Sequence, residues 1–201
     1  MTRNRLMTAF LAPVAIASLS ACGVNSIPTA EEEAKARWAD VQAAYQRRAN
    51  VVPNLVATVK GAASSEGRIL TGVTDARARA TAINITTDDL SNPERLQQFS
   101  AAQNQLTQAL GQLRTVVEAY PDLKSQANFS TLMDQLEGHD NRINIAILDY
   151  NRAVQAYNTR IRTFPDVIGA KIFYGAKPMA TYQATTPNAQ QAPTVDFGNT
   201  Q

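Results

Sequence analysis

The stretch from residue 38 to residue 59 carries the pattern that most constrains the fold. Its apolar residues recur at steps of three and four, which places them on one face of an α-helix; they are Trp38, Val41, Tyr45, Val52, Leu55 and Val59. At position 48, where the next apolar residue of this stripe is expected, the chain has Arg48 instead. Because a charged side chain on a core-facing stripe needs a partner from elsewhere in the chain, we predict that this helix is one member of a bundle.

Two later stretches repeat the pattern and predict two more long helices. The first has a start signal at residues 91–94, with Ser91 as cap and Pro93 in the first turn. Its stripe is Leu96, Phe99, Gln103, Leu106, Leu110, Leu113, Val117 and Tyr120; the second stripe is Phe129, Leu132, Leu136, Ile143, Ile147, Tyr150, Val154, Tyr157, Ile161 and Phe164. An aromatic residue packing the last turn, then proline, is expected to close each helix. The fold class is therefore all-α, a bundle of three to four long helices.

The chain between the first two stripes allows two interpretations. A capping box of Thr29 and Glu32 predicts that the first helix begins near residue 30. Pro53 would kink this helix, yet the stripe continues in register through Glu66 to Ile83. Residues 30–84 therefore form either one long kinked helix or two helices separated near residues 61–67, where glycine and serine weaken the helix.

The N-terminus has the features of a lipoprotein signal peptide. Two arginines precede about fourteen mostly apolar residues, a run too short to span a bilayer, which needs roughly 20. This run ends in Leu-Ser-Ala-Cys, which matches a lipobox, and Cys22 is the only cysteine in the chain. We predict cleavage after residue 21 and lipidation of Cys22, which would anchor the protein in a membrane. The alternative is an uncleaved signal-anchor helix.

Further expectations concern the segments around the bundle. Residues 22–28 are predicted to be a lipidated tether, residues 29–174 the bundle, and residues 175–201, rich in Thr, Gln, Asn, Ala and Pro, a disordered tail. Removing residues 1–21 takes away two arginines, which leaves 17 basic against 17 acidic residues. A neutral mature chain shows no electrostatic signature of nucleic-acid binding. Gly23, rather than aspartate, after the cysteine resembles outer-membrane sorting if the cell is Gram-negative.

Several motifs together resemble the LemA family. They are QRRANVVPNLVATVKG at residues 46–61, Ala-Arg-Ala at 76–78, EAYPDLK at 118–124 with Asn-Phe at 128–129, and Tyr-Asn at 150–151 and at 157–158 ahead of Phe-Pro. The resemblance covers residues 38 to about 172. It implies an antiparallel four-helix bundle, tethered by its N-terminus and facing away from the cytoplasm, with no established enzymatic activity. The lipobox in place of the usual transmembrane helix, and His139-Asp140 in place of Glu-Asn, depart from the family pattern.

Candidate site residues are polar groups on or near the stripes. Asn144, Asn151 and Asn158 recur every seven residues, and either fix helix register or bind a partner. Arg47, Arg48 and Glu66 are expected to form a buried network with each other or with asparagine. The candidate network is completed by Asn54, Tyr150 and Tyr157.

The sequence offers little for catalysis or for cofactors. His139 beside Asp140 has no accompanying nucleophile motif, and one histidine with one lipidated cysteine excludes the usual zinc sites. No glycine-rich phosphate loop is present. We therefore expect a non-catalytic envelope lipoprotein without a cofactor, which acts as a scaffold or adaptor for another envelope protein. The alternative is a sensor that binds a small molecule or a peptide in a pocket between helices.

Overall fold

The computed structural model describes residues 25–183, which contain helices and no strand. Four helices are long: α1 Ser26–Ala62, α2 Gly67–Ala82, α3 Pro93–Val117 and α5 Ala127–Arg160. Two are short, α4 Pro121–Lys124 and α6 Asp166–Gly169, and a π-helical turn, Ala170–Tyr174, continues α6. Two 3₁₀ turns, Ser64–Glu66 and Asp88–Ser91, connect α1 to α2 and α2 to α3. The all-α prediction is confirmed.

Residues 30–84 form two helices. Pro53 lies inside α1 without ending it, because Val52 and Leu55 are both buried and tertiary packing offsets the hydrogen bond that proline cannot make. The chain leaves the helix ten residues later, at Ala63, where φ is −130° and ψ is 58°. The interruption therefore lies between Gly61 and Gly67, where the weak helix formers are, and not at the proline.

The start of α1 differs from the prediction in both place and cause. The helix begins at Ser26 with Asn25 as N-cap, so residues 26–28 belong to the bundle and not to a tether. Ile27 is fully buried, which fixes this first turn in the core. The predicted capping box is wrong, because the Thr29 hydroxyl donates to the Asn25 carbonyl at 2.8 Å instead of accepting from the backbone. Residues 1–24, including Cys22, lie outside the described residues.

The start and end of α3 also shift slightly. Asn92, not Ser91, is the N-cap, and its side-chain oxygen accepts from the backbone N–H groups of Glu94 and Arg95 at 3.0 and 3.4 Å. Ser91 instead completes the preceding 3₁₀ turn. The helix ends at Val117, three residues before the predicted Tyr120.

The long helices alternate in direction. Ser26 contacts Asp166, and Arg48 contacts Asp140, so α1 and α5 run antiparallel side by side. The α1/α5, α2/α3 and α1/α2 pairs pack closely, whereas α3 and α5 approach each other little. The result is an up-down-up-down bundle with a gap on one side, between α3 and α5.

The core confirms most of the stripes. Of the three stripes, the residues that are buried include Trp38, Val41, Leu55, Leu96, Phe99, Leu106, Leu113, Leu136, Ile143, Tyr150, Val154 and Tyr157. Leu110, Tyr120 and Leu132 are half-buried. Phe164 is 80% exposed, so the prediction that it packs the last turn of its helix is wrong. α5 ends at Arg160, and Phe164 lies in the turn beyond it.

The chain does not become disordered at residue 175. Gly175 adopts a left-handed φ of 54°, a conformation that glycine takes without strain, and Met179 and Tyr182 are buried. The predicted tail is thus wrong for residues 175–183. We call residues 176–183 the C-terminal segment; residues 184–201 lie outside the described residues.

Candidate functional site

A buried polar layer centred on Arg48 crosses the middle of the bundle. The side chain of Arg48 is 5% exposed, and its guanidinium donates to Gln103 Oε1 and Thr107 Oγ1, both at 3.0 Å. It also meets Asp140 Oδ1 at 3.3 Å and lies over the Tyr45 ring, 5.2 Å from the centroid. The Gln103 amide in turn donates to the Ala80 carbonyl at 3.0 Å. This layer therefore joins all four long helices and divides the apolar core into two clusters.

The other predicted members of this network lie elsewhere. Arg47 and Asn54 are exposed. Glu66 accepts a hydrogen bond from the Tyr120 hydroxyl at 3.0 Å and does not contact Arg48. The prediction of an Arg48–Glu66 or Arg48–Asn pair is wrong. Arg48 lies 14 residues before the end of α1 at Ala62, about 21 Å along the helix, whereas Glu66 lies in the turn beyond that end.

Asn151 and Asn158 hold the backbone of the C-terminal segment. The Asn151 amide donates to the Tyr182 carbonyl and its oxygen accepts the Tyr182 N–H, both at 2.8 Å. Asn158 makes the same pair of bonds with Met179, at 2.8 and 2.9 Å. Because a carboxamide offers one donor and one acceptor side by side, each asparagine pairs with the segment as a neighbouring strand would.

The spacing of the two asparagines matches the spacing of the residues they bind. Seven residues of α5 cover about 10.5 Å along the helix axis. The three steps from Met179 to Tyr182 cover about 10 Å in an extended chain. Asn144, the third member of the predicted ladder, is exposed, and its side chain makes no hydrogen bond within residues 25–183. The prediction that it fixes helix register through a hydrogen bond is therefore wrong, whereas the alternative that it binds a partner stays a prediction.

Tyrosine hydroxyls complete the attachment of this segment. Tyr150 donates to the Ala180 carbonyl at 2.8 Å, and Tyr157 donates to the Lys177 carbonyl at 3.1 Å. The hydroxyls of Tyr45 and Tyr182 lie 3.0 Å apart. Burial raises the pKa of Tyr45, Tyr150, Tyr157 and Tyr182, because the phenolate would lose its hydration.

The C-terminal segment fills one half of the gap between α3 and α5. Ser100 of α3 donates to the Gln183 carbonyl at 2.9 Å, opposite the asparagines of α5. We call the whole gap the α3–α5 groove. Beyond the Arg48 layer the groove is open as a cavity of about 550 Å³. Its walls include Leu110, Gly111 and Arg114 on α3 and Phe129, Met133, Asp134, Leu136, Glu137 and Asp140 on α5.

Among the described residues there is neither a metal-binding cluster nor a bilayer-spanning helix. His139 is half-buried on α5, and within residues 25–183 no group of three His, Cys, Asp or Glu side chains is arranged to hold a metal ion. Over the same residues, no helix has both the length and the hydropathy required to cross a membrane.

The sequence patterns missed three parts of this site. Gln103 stood on the α3 stripe as its polar member, which was a visible signal for a partner of Arg48. Thr107 lies one helical turn further and carried no such signal. The contribution of Tyr182 was hidden because the surrounding composition is that of a disordered tail.

One known protein family matches most of this chain. The sequence profile of the LemA family matches residues 37–197. The chain belongs to the LemA family. The matched range includes the C-terminal segment of this LemA protein and continues beyond Gln183.

Individual relatives of this LemA protein are distant. The chain is 27% identical over 157 residues to magnetosome proteins MamQ 1 and MamQ 2 of Paramagnetospirillum magneticum, covering 70% of this chain and 58% of each relative. It is 26% identical over 124 residues to protein LemA of Metamycoplasma hominis, covering 62% of this chain and 52% of the relative. The matches span a little over half the length of these curated relatives.

Proposed function

We propose that this LemA protein is a non-catalytic, lipid-anchored envelope protein that binds an extended peptide segment of a partner protein. The binding site in this proposal is the open half of the α3–α5 groove. The proposal is based on the other half of the same groove, which is occupied. There, α3 and α5 already hold an extended chain, with side chains of α5 bonded to its backbone.

The open half has the properties that such a ligand needs. Leu110, Phe129 and Met133 offer apolar surface on both walls. Arg114, Asp134, Glu137 and Asp140 place charges of both signs around them, which would favour a segment with polar as well as apolar side chains. A gap between two helices is also a common position for a binding site in a bundle.

The anchor in this proposal is Cys22, through the lipobox of the signal peptide. Cleavage before Cys22 and acylation of its thiol would attach the protein to the outer face of the membrane. In a Gram-negative cell, Gly23 favours the periplasmic face of the outer membrane. Mass spectrometry of the mature N-terminus tests this part alone, since an unmodified thiol would contradict it.

Photo-crosslinking in intact cells tests the groove. A photoreactive amino acid replaces Leu110 on one wall or Met133 on the other, and Gly72 on α2 serves as the exposed control. We expect Leu110 and Met133 to crosslink to one contiguous segment of the same partner protein, and Gly72 not to do so. Gly111→Phe should abolish these crosslinks, because it fills the groove at a helical position where no atom lies within 4 Å of a new Cβ.

Two outcomes would contradict the proposal. Crosslinks from Leu110 and Met133 to residues 184–201 of the same chain would mean that the protein fills its own groove. Crosslinks that survive Gly111→Phe, or that also arise from Gly72, would mean that contact occurs outside the groove. Gly72→Phe is the matched control for folding, since its Cβ also meets open space.

A second candidate function is a sensor of a small molecule, and the size of the cavity favours it. A volume of about 550 Å³ lies within the range of small-molecule sites, roughly 300–1,000 Å³. Arg48 lines this cavity, whereas Tyr150 and Asn151 do not, because both are bonded to the C-terminal segment. A metabolite that raises the melting temperature of the native protein, but not of Gly111→Phe, would support this function.

A further inference from the structure

One end of the bundle exposes an unusual number of large apolar side chains. All lie within residues 164–174, in the turn after α5, in α6 and in the π-helical turn. Their exposed fractions are 80% for Phe164, 49% for Ile168, 70% for Ile172, 69% for Phe173 and 41% for Tyr174. We call these five residues the apolar end patch. Such a concentration on a soluble surface marks a contact with a membrane or with another protein.

The apolar end patch lies at the end of the bundle where the chain enters it. The Ser26 hydroxyl donates to Asp166 Oδ2 at 2.6 Å, which fixes the first turn of α1 against α6. Ile27 belongs to the same core cluster as Ile161 and Ala170. Only residues 23–25 separate Cys22 from Ser26, and the four steps between their Cα atoms reach at most about 14 Å. An acylated Cys22 would therefore hold this end against the bilayer.

The charges around the patch suit an anionic lipid surface. Residues 160–177 contain four basic side chains and one acidic side chain. The basic ones, Arg160, Arg162, Lys171 and Lys177, are all exposed, whereas the acidic one, Asp166, accepts the hydrogen bond from Ser26. Anionic headgroups attract such a cluster. The nearest acidic run, Glu31 to Glu33 on α1, is paired with Lys35 and Arg37.

We propose that the apolar end patch inserts into the headgroup region of the membrane to which Cys22 is attached. Aromatic and aliphatic side chains flanked by basic residues are the composition of interfacial membrane contacts. The protein would then be fixed at two points, by its acyl chains and by the patch, so the bundle would stand on the bilayer by this end. The geometry of this proposal rests on the anchor proposed above, but the insertion of the patch can be measured independently of the anchor.

Depth-dependent fluorescence quenching tests the insertion. The full chain is produced in bacteria, purified from membranes and reconstituted into phosphatidylethanolamine–phosphatidylglycerol vesicles that carry brominated acyl chains. Phe173→Trp reports on the patch, and Leu148→Trp, at a 50% exposed site on α5 about 18 Å from the end of that helix, is the matched control. The native Trp38 is buried and supplies a constant background. We expect brominated lipid to quench most of the added emission of Phe173→Trp and to leave that of Leu148→Trp unchanged.

The other outcomes are also decisive. If neither tryptophan is quenched, the patch stands away from the bilayer; if both are quenched alike, the bundle lies on its side; either result overturns the proposal. Mass spectrometry of the same preparation determines separately whether Cys22 is acylated. Should Cys22 be unmodified, quenching of Phe173→Trp would still support the patch while refuting the anchor. A protein with free Cys22 that stays in the aqueous phase would refute both.

Discussion

Replacing Asn151 or Asn158 with alanine should loosen the C-terminal segment without unfolding the bundle. Each substitution removes two hydrogen bonds to the backbone of this segment, at 2.8–2.9 Å. At a net contribution of about 1 kcal/mol for each bond, the segment should lose about 2 kcal/mol of docking free energy. The apolar burial of Met179 and Tyr182 remains and should keep the segment attached most of the time.

Amide hydrogen exchange measures this loss residue by residue. The Tyr182 N–H donates to Asn151, and the Met179 N–H donates to Asn158. A loss of about 2 kcal/mol corresponds to exchange about 30-fold faster, since each 1.4 kcal/mol is a factor of ten. Exchange in the middle of α1 should not change, because global unfolding is not involved.

Asn144→Ala is the internal control for these two variants. It occupies the same seven-residue register on α5 but is exposed and makes no hydrogen bond within residues 25–183. We expect no change in exchange at Met179 or Tyr182. If Asn144→Ala accelerates exchange as much as Asn151→Ala, or if Asn151→Ala leaves Tyr182 protected, the inference that the asparagines act as a backbone clamp is wrong.

The remaining predictions concern stability. Arg48→Ala should destabilise the protein by about 3 kcal/mol in urea unfolding, because it leaves buried Gln103 without its partner, whereas Asp140→Asn should cost under about 1 kcal/mol because that carboxylate is 53% exposed. Equal effects of the two substitutions would contradict this. Burial raises the pKa of Tyr45 and Tyr182 above the unfolded value of about 10. Their contribution to stability should therefore be constant below that pH and fall above it by up to about 1.4 kcal/mol per pH unit for each group. Unfolding titrations of Tyr45→Phe should show a shallower decline, and an unchanged slope would exclude Tyr45 as its source.

The stripes predicted the helices because the residues of a helix that face the core recur with the helical period, and most of these residues are apolar. Trp38, Phe99 and Tyr150 all lie where the three-four pattern places them, in one aromatic cluster. The pattern also showed that Arg48 needs a partner. It could not show which one, because a stripe gives the face of a helix but not its rotation against neighbours or its offset along them.

The two main errors have physical causes. Glu66 was expected to pair with Arg48 because its position fits the continued stripe, but it lies in the turn after α1, where it contacts Tyr120. The stripe itself continues in α2, where Val73, Ala76 and Ala80 are buried.

The C-terminal segment was expected to be disordered because it has little apolar surface. It is held instead by hydrogen bonds to its backbone, which every sequence carries, together with the burial of only two large side chains, Met179 and Tyr182, so composition gave little sign of it. The visible sign was on α5, in the seven-residue spacing of Asn151 and Asn158.

The proposed anchor and the α3–α5 groove would together restrict the kind of partner. If Cys22 and the apolar end patch fix one end of the bundle at the bilayer, the C-terminal segment closes the near half of the α3–α5 groove. Arg48 lies 22 residues along α1 from Ser26, so the open half begins about 33 Å away from that end. A membrane-embedded partner could reach this site only with a segment that projects well beyond the headgroups. A soluble protein, or a flexible segment of an envelope protein, could enter the groove directly, and these are the partners that crosslinking from Leu110 and Met133 should identify.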